Sequence, residues 1–268
     1  MARRAGLSLK RRYGQHLLVD RDVLMAIVDS LDCQSTDEVY EVGTGIGTLT
    51  VELSARARRV IGVELDEACV RAMRVTLAGR DNVRVVLGDA LRYNASDFGL
   101  GPGYLVAGNI PYTITGALIS HLLESAQPPL RAVILVQREV AARLCAPSGD
   151  WSLATVAVRS LARVERLGDV APASFDPPPA VHSTILRLLP EPQLPEGERA
   201  AVIALARSLF QQRRKMLRSG VTSALGDETR ARAALAAAGI DPRRRPGTLE
   251  LEEWRRLAQA AADTDHGR

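Results

Sequence analysis

Cysteine, histidine and aromatic residues are all scarce in this chain, and acidic residues are missing from two long stretches. The three cysteines, Cys33, Cys69 and Cys145, stand far apart with no Cys-x-x-Cys pair. That excludes a zinc ribbon and a disulfide framework and fits a reducing compartment. The four histidines, His16, His121, His182 and His266, lack metal-ligand spacing, so no metal is expected. No apolar run approaches the ~20 residues of a membrane span, and the arginine-rich start lacks the apolar centre of a signal peptide. The expected location is the cytoplasm, with no membrane partner. Aromatics make up only 4% of the residues, so an aromatic inside a motif carries unusual weight.

What is present is ordinary for a globular protein: 268 residues, 46% apolar and 25% charged, with a formal charge of +4. This length holds one full α/β domain and a smaller second one. So small a net excess says little, and the distribution of charge matters more. No apolar surface stripe calls for a partner subunit, and a monomer is expected.

Strand and helix patterns alternate through the first two thirds of the chain. Apolar residues at helical spacing from Val23 to Leu31 predict a helix, and residues 38–42 a buried strand leading into a glycine turn. A helix is predicted from Thr48 to Arg56, a strand over 59–64, and a helix capped by Asp66 and stopped by Gly79. Strands follow at 83–87, 104–108 and 132–137, with a helix over 115–125 between the last two. Two more strands are predicted near 153–164 and 181–188. The alternation implies a mostly parallel sheet covered on both faces. Residues 190–197 are proline-rich, and beyond them the pattern is wholly helical: 200–209, 216–225, 229–238 and 249–261. The expected organisation is a catalytic domain over 1–190 with a basic arm at 1–12, a linker at 191–197, and a helical domain over 198–268.

The glycine turn, Glu41-Val42-Gly43-Thr44-Gly45-Ile46-Gly47, lets the backbone approach a ligand closely and exposes helix N-terminal N–H groups. A dinucleotide fingerprint would place its third glycine at position 48, which is Thr48. The turn therefore disfavours NAD and suits S-adenosylmethionine, whose amino acid portion can lie against Gly43 and Gly45. Glu64 ends the next strand, where an acid accepts two hydrogen bonds from a ribose diol. Asp89, after the following strand, is placed to accept from the adenine amine.

Asn109-Ile110-Pro111-Tyr112 suits chemistry on an exocyclic amine. Such a nitrogen is a poor nucleophile because its lone pair is delocalised into the ring. Accepting its N–H hydrogen bonds with the Asn109 side-chain oxygen and the Ile110 carbonyl draws it toward tetrahedral geometry. Pro111 stiffens that carbonyl, and the Tyr112 ring stacks the base. In-line alignment supplies most of the acceleration, and no strong general base is needed. The run Ser174-Phe175-Asp176-Pro177-Pro178-Pro179 is rigid and would present Phe175 as an opposing wall for a flipped base.

Arg3 to Arg12 carry five basic side chains and no acid, among them Lys10, Arg11 and Arg12. From Ala200 to Gly226 there is again no acid, while Arg207, Arg213, Arg214, Lys215 and Arg218 are present. One-signed charge on both stretches points to phosphate contacts.

With these residues in place, the chain resembles the ribosomal RNA adenine N6-dimethyltransferases, most closely the bacterial KsgA type. The likeness runs from Tyr13-Gly14-Gln15-His16-Leu17-Leu18 through the glycine turn, Glu64-Leu65-Asp66, Gly88-Asp89-Ala90 and Asn109-Ile110-Pro111-Tyr112. It continues through Gln137-Arg138-Glu139-Val140, Phe175-x-Pro-Pro-Pro-x-Val181-x-Ser183 and Gln212-Arg213-Arg214-Lys215-Met216-Leu217-Arg218. Leu17, Thr113, Gly116 and Ser152 depart from the family's usual residues. The resemblance implies a Rossmann-like S-adenosylmethionine domain, a small all-helical C-terminal domain that recognises rRNA, and cofactor contacts at His16, Leu18, Gly43, Glu64, Asp89 and Asn109. It also implies dimethylation of two adjacent adenosines in the 3′-terminal hairpin of 16S rRNA, within the small ribosomal subunit or its precursor. Two alternatives stay open. One is the related large-subunit (23S) methyltransferases of macrolide resistance, which share Asn-Ile-Pro-Tyr but which the triple proline and the Gln-Arg-Arg-Lys run disfavour. The other is a chiefly non-catalytic assembly factor for small subunits.

Overall fold

The structure is a computed structural model that describes residues 16–266. The basic arm, with Lys10, Arg11 and Arg12, and the Tyr13-Gly14-Gln15 part of the N-terminal motif lie outside the described residues. The chain divides into two compact units, one reaching to Ala141 and including Arg163–Pro190, the other made of Ala142–Ala162 and everything from Glu191 onward.

The first unit is built on a seven-stranded sheet. Its strands are β2 (Glu38–Val42), β3 (Arg59–Glu64), β4 (Val83–Leu87), β5 (Leu105–Asn109), β6 (Arg131–Gln137), β7 (Ala162–Val170) and β9 (Ser183–Pro190). Their spatial order is β4-β3-β2-β5-β6-β9-β7. Pairs among β2 to β6 are parallel, and β9 runs antiparallel to β6. From β2 the chain winds outward through β3 and β4, then returns to β2's other side with β5. This reversal leaves a crevice at the carboxyl ends of β2 and β5, where open α/β sheets bind ligands. A separate two-stranded ribbon pairs β1 (Leu17–Leu18) with β8 (Phe175–Asp176).

Helices α1 (Arg21–Leu31), α2 (Thr48–Ser54), α3 (Glu67–Thr76) and α4 (Thr115–Leu123) connect these strands. Their ends are set locally. Asp20 caps α1 by accepting from the Asp22 and Val23 N–H groups, and Asp66 caps α3 through the Ala68 N–H. Leu24, Ile27, Val28 and Leu31 then fall on one face of α1 and are buried in the same core as Val39, Val60, Leu105 and Val133. Each such side chain contributes about 1.5–3 kcal/mol by leaving water.

The second unit contains α6 (Leu153–Arg159), α7 (Glu196–Phe210), α8 (Leu217–Leu225), α9 (Glu228–Ala237) and α10 (Leu251–His266) around a core centred on the fully buried Trp254; α5 (Arg138–Leu144) spans the division. Four expectations change here. Residues 153–159 form a helix, not the start of a strand. Their β-branched run, Thr155, Val156 and Val158, suits either state, but Ser152 accepts from the Thr155 N–H and Thr155 reciprocates, closing a capping box that starts α6. The domain boundary is also displaced. Trp151 and Val156 are buried in the helical core, so 142–162 belongs to the second unit. The expected linker is packed as well: Leu194 is buried in that core, and Glu191 and Gln193 donate to the Leu161 and Ser160 carbonyls. The last strand starts two residues late, at Ser183, leaving Val181 exposed.

Candidate active site

The crevice at the reversal point opens into a cavity of about 200 Å³ within the first unit. It is lined by the end of β2 and its glycine turn, the ends of β3 and β5, the turn after β4, and the His16–Leu18 segment. Of the residues expected to hold the cofactor, His16, Leu18, Gly43, Gly45, Glu64, Asp89 and Asn109 all line it.

The glycine turn has a backbone that side chains resist. Gly45 has φ +57°, and a Cβ there would meet Leu17 Cδ2 at 3.0 Å. Gly108 answers a different demand: a Cβ on it would lie 2.5 Å from the Val42 carbonyl, so only glycine lets β5 run close past β2 into Asn109. Glu64 is buried at the end of β3, where its two carboxylate oxygens accept from the Gly45 and Asp66 N–H groups, each at 2.8 Å. It therefore braces the turn as well as facing the cavity. Burial pushes its carboxyl up from the usual glutamate range, against the two backbone N–H groups. Asp89 caps its own short 3-10 turn through the Leu91 N–H at 3.0 Å and stays half-buried in the lining.

Sequence reasoning passed over Glu41. It sits in β2, two residues before Gly43, 1% exposed, lining the cavity with Oε2 lacking any partner among the described residues. Burial pushes its carboxyl up to about 8, with Thr50 partly offsetting this and the Glu64 charge adding to it. Thr44 Oγ1, also in the lining, is buried and likewise has no partner among the described residues. Buried polar atoms are nearly always satisfied, so these two orphans await a ligand's polar groups. The available signal was an acid between Tyr40 and Val42, at the inner end of a strand whose only other acid, Glu38, stands at its start.

At the end of β5, Asn109 Nδ2 donates to the His16 carbonyl at 2.7 Å. A carbonyl only accepts, so the contact orients the amide and reserves Oδ1 as an acceptor. The Ile110 N–H donates to Leu135 O at 3.2 Å, which fixes the peptide leading into Pro111. Tyr112 is half-buried; its hydroxyl shares a 2.6 Å hydrogen bond with Ser183 Oγ, and its ring lies 6.0 Å from the His16 ring at 27°. His16 Nδ1 in turn donates to Pro177 O at 2.8 Å. Asn109, Ile110, Pro111 and Tyr112 thus stand together beside the glycine turn.

Phe175 does not join them. Its ring is 3% exposed, in the core that holds Leu18, Val170 and Ile185, and it is absent from the cavity lining. A wall for a base needs an open ring face; β8 pairs with β1 and turns this ring inward instead.

In the second unit Arg213, Arg214, Lys215 and Arg218 are all exposed, on the turn before α8 and in its first turn. None enters an ion pair among the described residues, whereas Arg243, Arg244 and Arg255 of the same unit are held by Asp241, Glu253 and Glu198. Elsewhere, no three His, Cys, Asp or Glu side chains cluster as a metal site among the described residues, and no described helix is long and apolar enough to cross a membrane.

Comparison with known proteins agrees with this geometry. The sequence pattern of the family described as "Ribosomal RNA adenine dimethylase" matches residues 6–263. The chain is 38% identical to "Ribosomal RNA small subunit methyltransferase A" of Dehalococcoides mccartyi (strain CBDB1), over 94% of this chain and 89% of that protein. It is 39% identical to the protein of that name from Anaeromyxobacter sp. (strain K), over 95% and 94%. Among solved structures, the 23S rRNA methyltransferase ErmE superposes with a TM-score of 0.74 at 28% identity, over 92% of this chain and 99% of that one. A dimethyladenosine transferase from Plasmodium falciparum has the same fold, with a TM-score of 0.79 at 24% identity, over 93% and 98%.

Proposed function

The chain belongs to the ribosomal RNA adenine dimethylase family, and on that footing we propose that it dimethylates N6 of two adjacent adenosines near the 3′ end of 16S rRNA. It is an rRNA adenine methyltransferase that uses S-adenosylmethionine. Its substrate is the small subunit or a precursor of it, in the cytoplasm. The observation that carries this reading is Asn109 at the cavity edge, its amide turned by the His16 carbonyl so that an acceptor remains for a base amine.

The residues present fit the cofactor. The orphaned Glu41 carboxyl suits its ammonium, the Thr44 hydroxyl its carboxylate, and Glu64 and Asp89 its ribose and adenine. When bound, S-adenosylmethionine supplies a methyl group activated by its sulfonium. The protein's work is then positional. Asn109 Oδ1 and the Ile110 carbonyl accept the N6 hydrogens and orient the nitrogen lone pair, and Tyr112 stacks the base. The positive charge arising on N6 is stabilised by the same two acceptors until its proton leaves to water.

Tyr112→Ala is expected to weaken target engagement by about 1–3 kcal/mol, the worth of one base stacked on an aromatic ring. Single-turnover methylation at subsaturating RNA measures it, and an unchanged rate removes Tyr112 from that role. The helical unit supplies rRNA contacts through its unpaired cations. Arg213→Ala and Arg214→Ala should each reduce the slope of log affinity against log salt by roughly 0.7–0.9. Titration of small-subunit rRNA at several salt concentrations reads this, and an unaltered slope makes those arginines structural.

The reading as a whole is tested with labelled S-adenosylmethionine and unmethylated small and large subunits, offered separately, followed by mapping of the modified bases. N6-dimethyladenosine at adjacent small-subunit positions supports it. Label confined to the large subunit moves the protein to the resistance-type enzymes. Binding to small subunits without label makes it an assembly factor.

A further inference from the structure

We propose that Ser183 is a positioning residue for methyl transfer, acting through the Tyr112 hydroxyl; this rests on the stacking role given to Tyr112 above. The two residues are 71 positions apart, and their side-chain oxygens are 2.6 Å apart. Ser183 is fully buried, the first residue of β9, and its backbone pairs with Gln137 at the end of β6. β6 is also the parallel neighbour of β5, with Leu135 opposite Asn109. The acceptor and the stacking ring are therefore referred to the same strand. Asn109 is placed by its position on β5, and Tyr112, in an irregular turn after Pro111, is tied back to the sheet by the Ser183 hydroxyl.

The physical need is clear from the turn itself. Tyr112 lies between Pro111 and the start of α4, outside any ladder. Its ring touches His16 on an offset stack, a contact that leaves rotation about the side-chain bonds weakly opposed. A platform that wanders by an ångström misaligns the base with the donor methyl, and such errors lower rate more than affinity. One short hydrogen bond to a buried hydroxyl removes that freedom. The half-buried phenol also needs a partner, since leaving it unsatisfied is costly. Burial raises its pKa and the Ser183 bond opposes that, as expected of a hydroxyl held in one place.

The experiment is a double-mutant cycle of Ser183→Ala and Tyr112→Phe in the full-length protein, with single-turnover methylation of small subunits and cofactor affinity read on each variant. Each single variant is expected to lower the saturating rate roughly tenfold, the loss of one hydrogen bond of about 1.4 kcal/mol, with cofactor affinity unchanged. The double variant should be no slower than either, because both substitutions remove one interaction. Rate losses that multiply, or a Ser183→Ala rate equal to the native one, overturn the proposal. So does loss of cofactor binding together with rate, which marks Ser183 as a general structural residue. Tyr112→Ala separates the two levels. If it leaves the rate intact at subsaturating RNA, the stacking reading fails; if it slows the reaction there while Ser183→Ala leaves the saturating rate native, only the role of Ser183 fails.

Discussion

Asn109→Ala is expected to reduce the single-turnover methylation rate by about 10²–10³-fold, the scale on which one preorganised polar contact to the reacting group acts. Affinity for the rRNA should change little, because the cations proposed to contact phosphate, Arg213, Arg214, Lys215 and Arg218, belong to the helical unit. The loss has two parts. Oδ1 disappears as the acceptor proposed for the base amine, and Nδ2 no longer holds the His16 carbonyl 2.7 Å away, which frees the segment that carries Leu17 and Leu18 past the glycine turn. Asn109→Asp separates them. It keeps an acceptor but sets an anionic oxygen against the His16 carbonyl, so it should lose the tie while keeping part of the rate. An alanine variant with rate within threefold of native would remove Asn109 from the chemistry. Retention of a small-subunit assembly phenotype by the inactive variant would show binding to be the protein's larger role.

Glu41→Gln is expected to move stability and cofactor affinity in opposite directions. In the free protein the Glu41 carboxyl is raised from about 4.5 to about 8. A raised acid favours the folded state below its unfolded pKa, and that advantage is lost as pH rises through the folded value. At pH 9 the native protein therefore bears the cost of a buried carboxylate, a few kcal/mol at about 1.4 kcal/mol per pH unit. Glutamine has no such charge. Denaturant melts at pH 6 and pH 9 should show a much smaller fall for the variant than for the native chain. Cofactor affinity should drop about 10–100-fold, as a charge-assisted hydrogen bond to the ammonium is replaced by a neutral one. Binding to the native protein at pH 7 should also release a proton, since pairing with an ammonium draws Glu41 into its charged form. Calorimetry in buffers of different ionisation enthalpy detects that proton, and the glutamine variant should release none. Equal pH dependence of the two melts would mean that Glu41 is not buried as a neutral acid.

Where an element is set by neighbours in sequence, the sequence was enough. Asp66 caps the helix that follows it, the glycine turn joins β2 to α2, and Asn109-Ile110-Pro111-Tyr112 ends β5, all as the local pattern implies. Segments whose residues suit two states needed the tertiary fold. Thr155, Val156 and Val158 read as a strand, yet the capping box and a place in the helical core make them α6. Leu194, inside a proline-rich stretch, is buried because an apolar side chain found a core to enter.

For the site, the sequence by itself determined the chemistry on offer: a glycine turn for a nucleoside cofactor, acids at successive strand ends, an amide and an aromatic for a base, and two runs of unopposed cations. Those are choices of residue type at short spacing, and spacing survives folding. Only the tertiary structure decided which groups are dry and which face each other. It buried Glu41 beside the glycine turn and turned Phe175 away from the cavity; it also set the His16 carbonyl against Asn109 across 93 residues and Ser183 against Tyr112 across 71. Burial and long-range hydrogen bonds are properties of the packed sheet, because a carboxyl's proton and an amide's orientation answer to atoms that the linear chain keeps far apart.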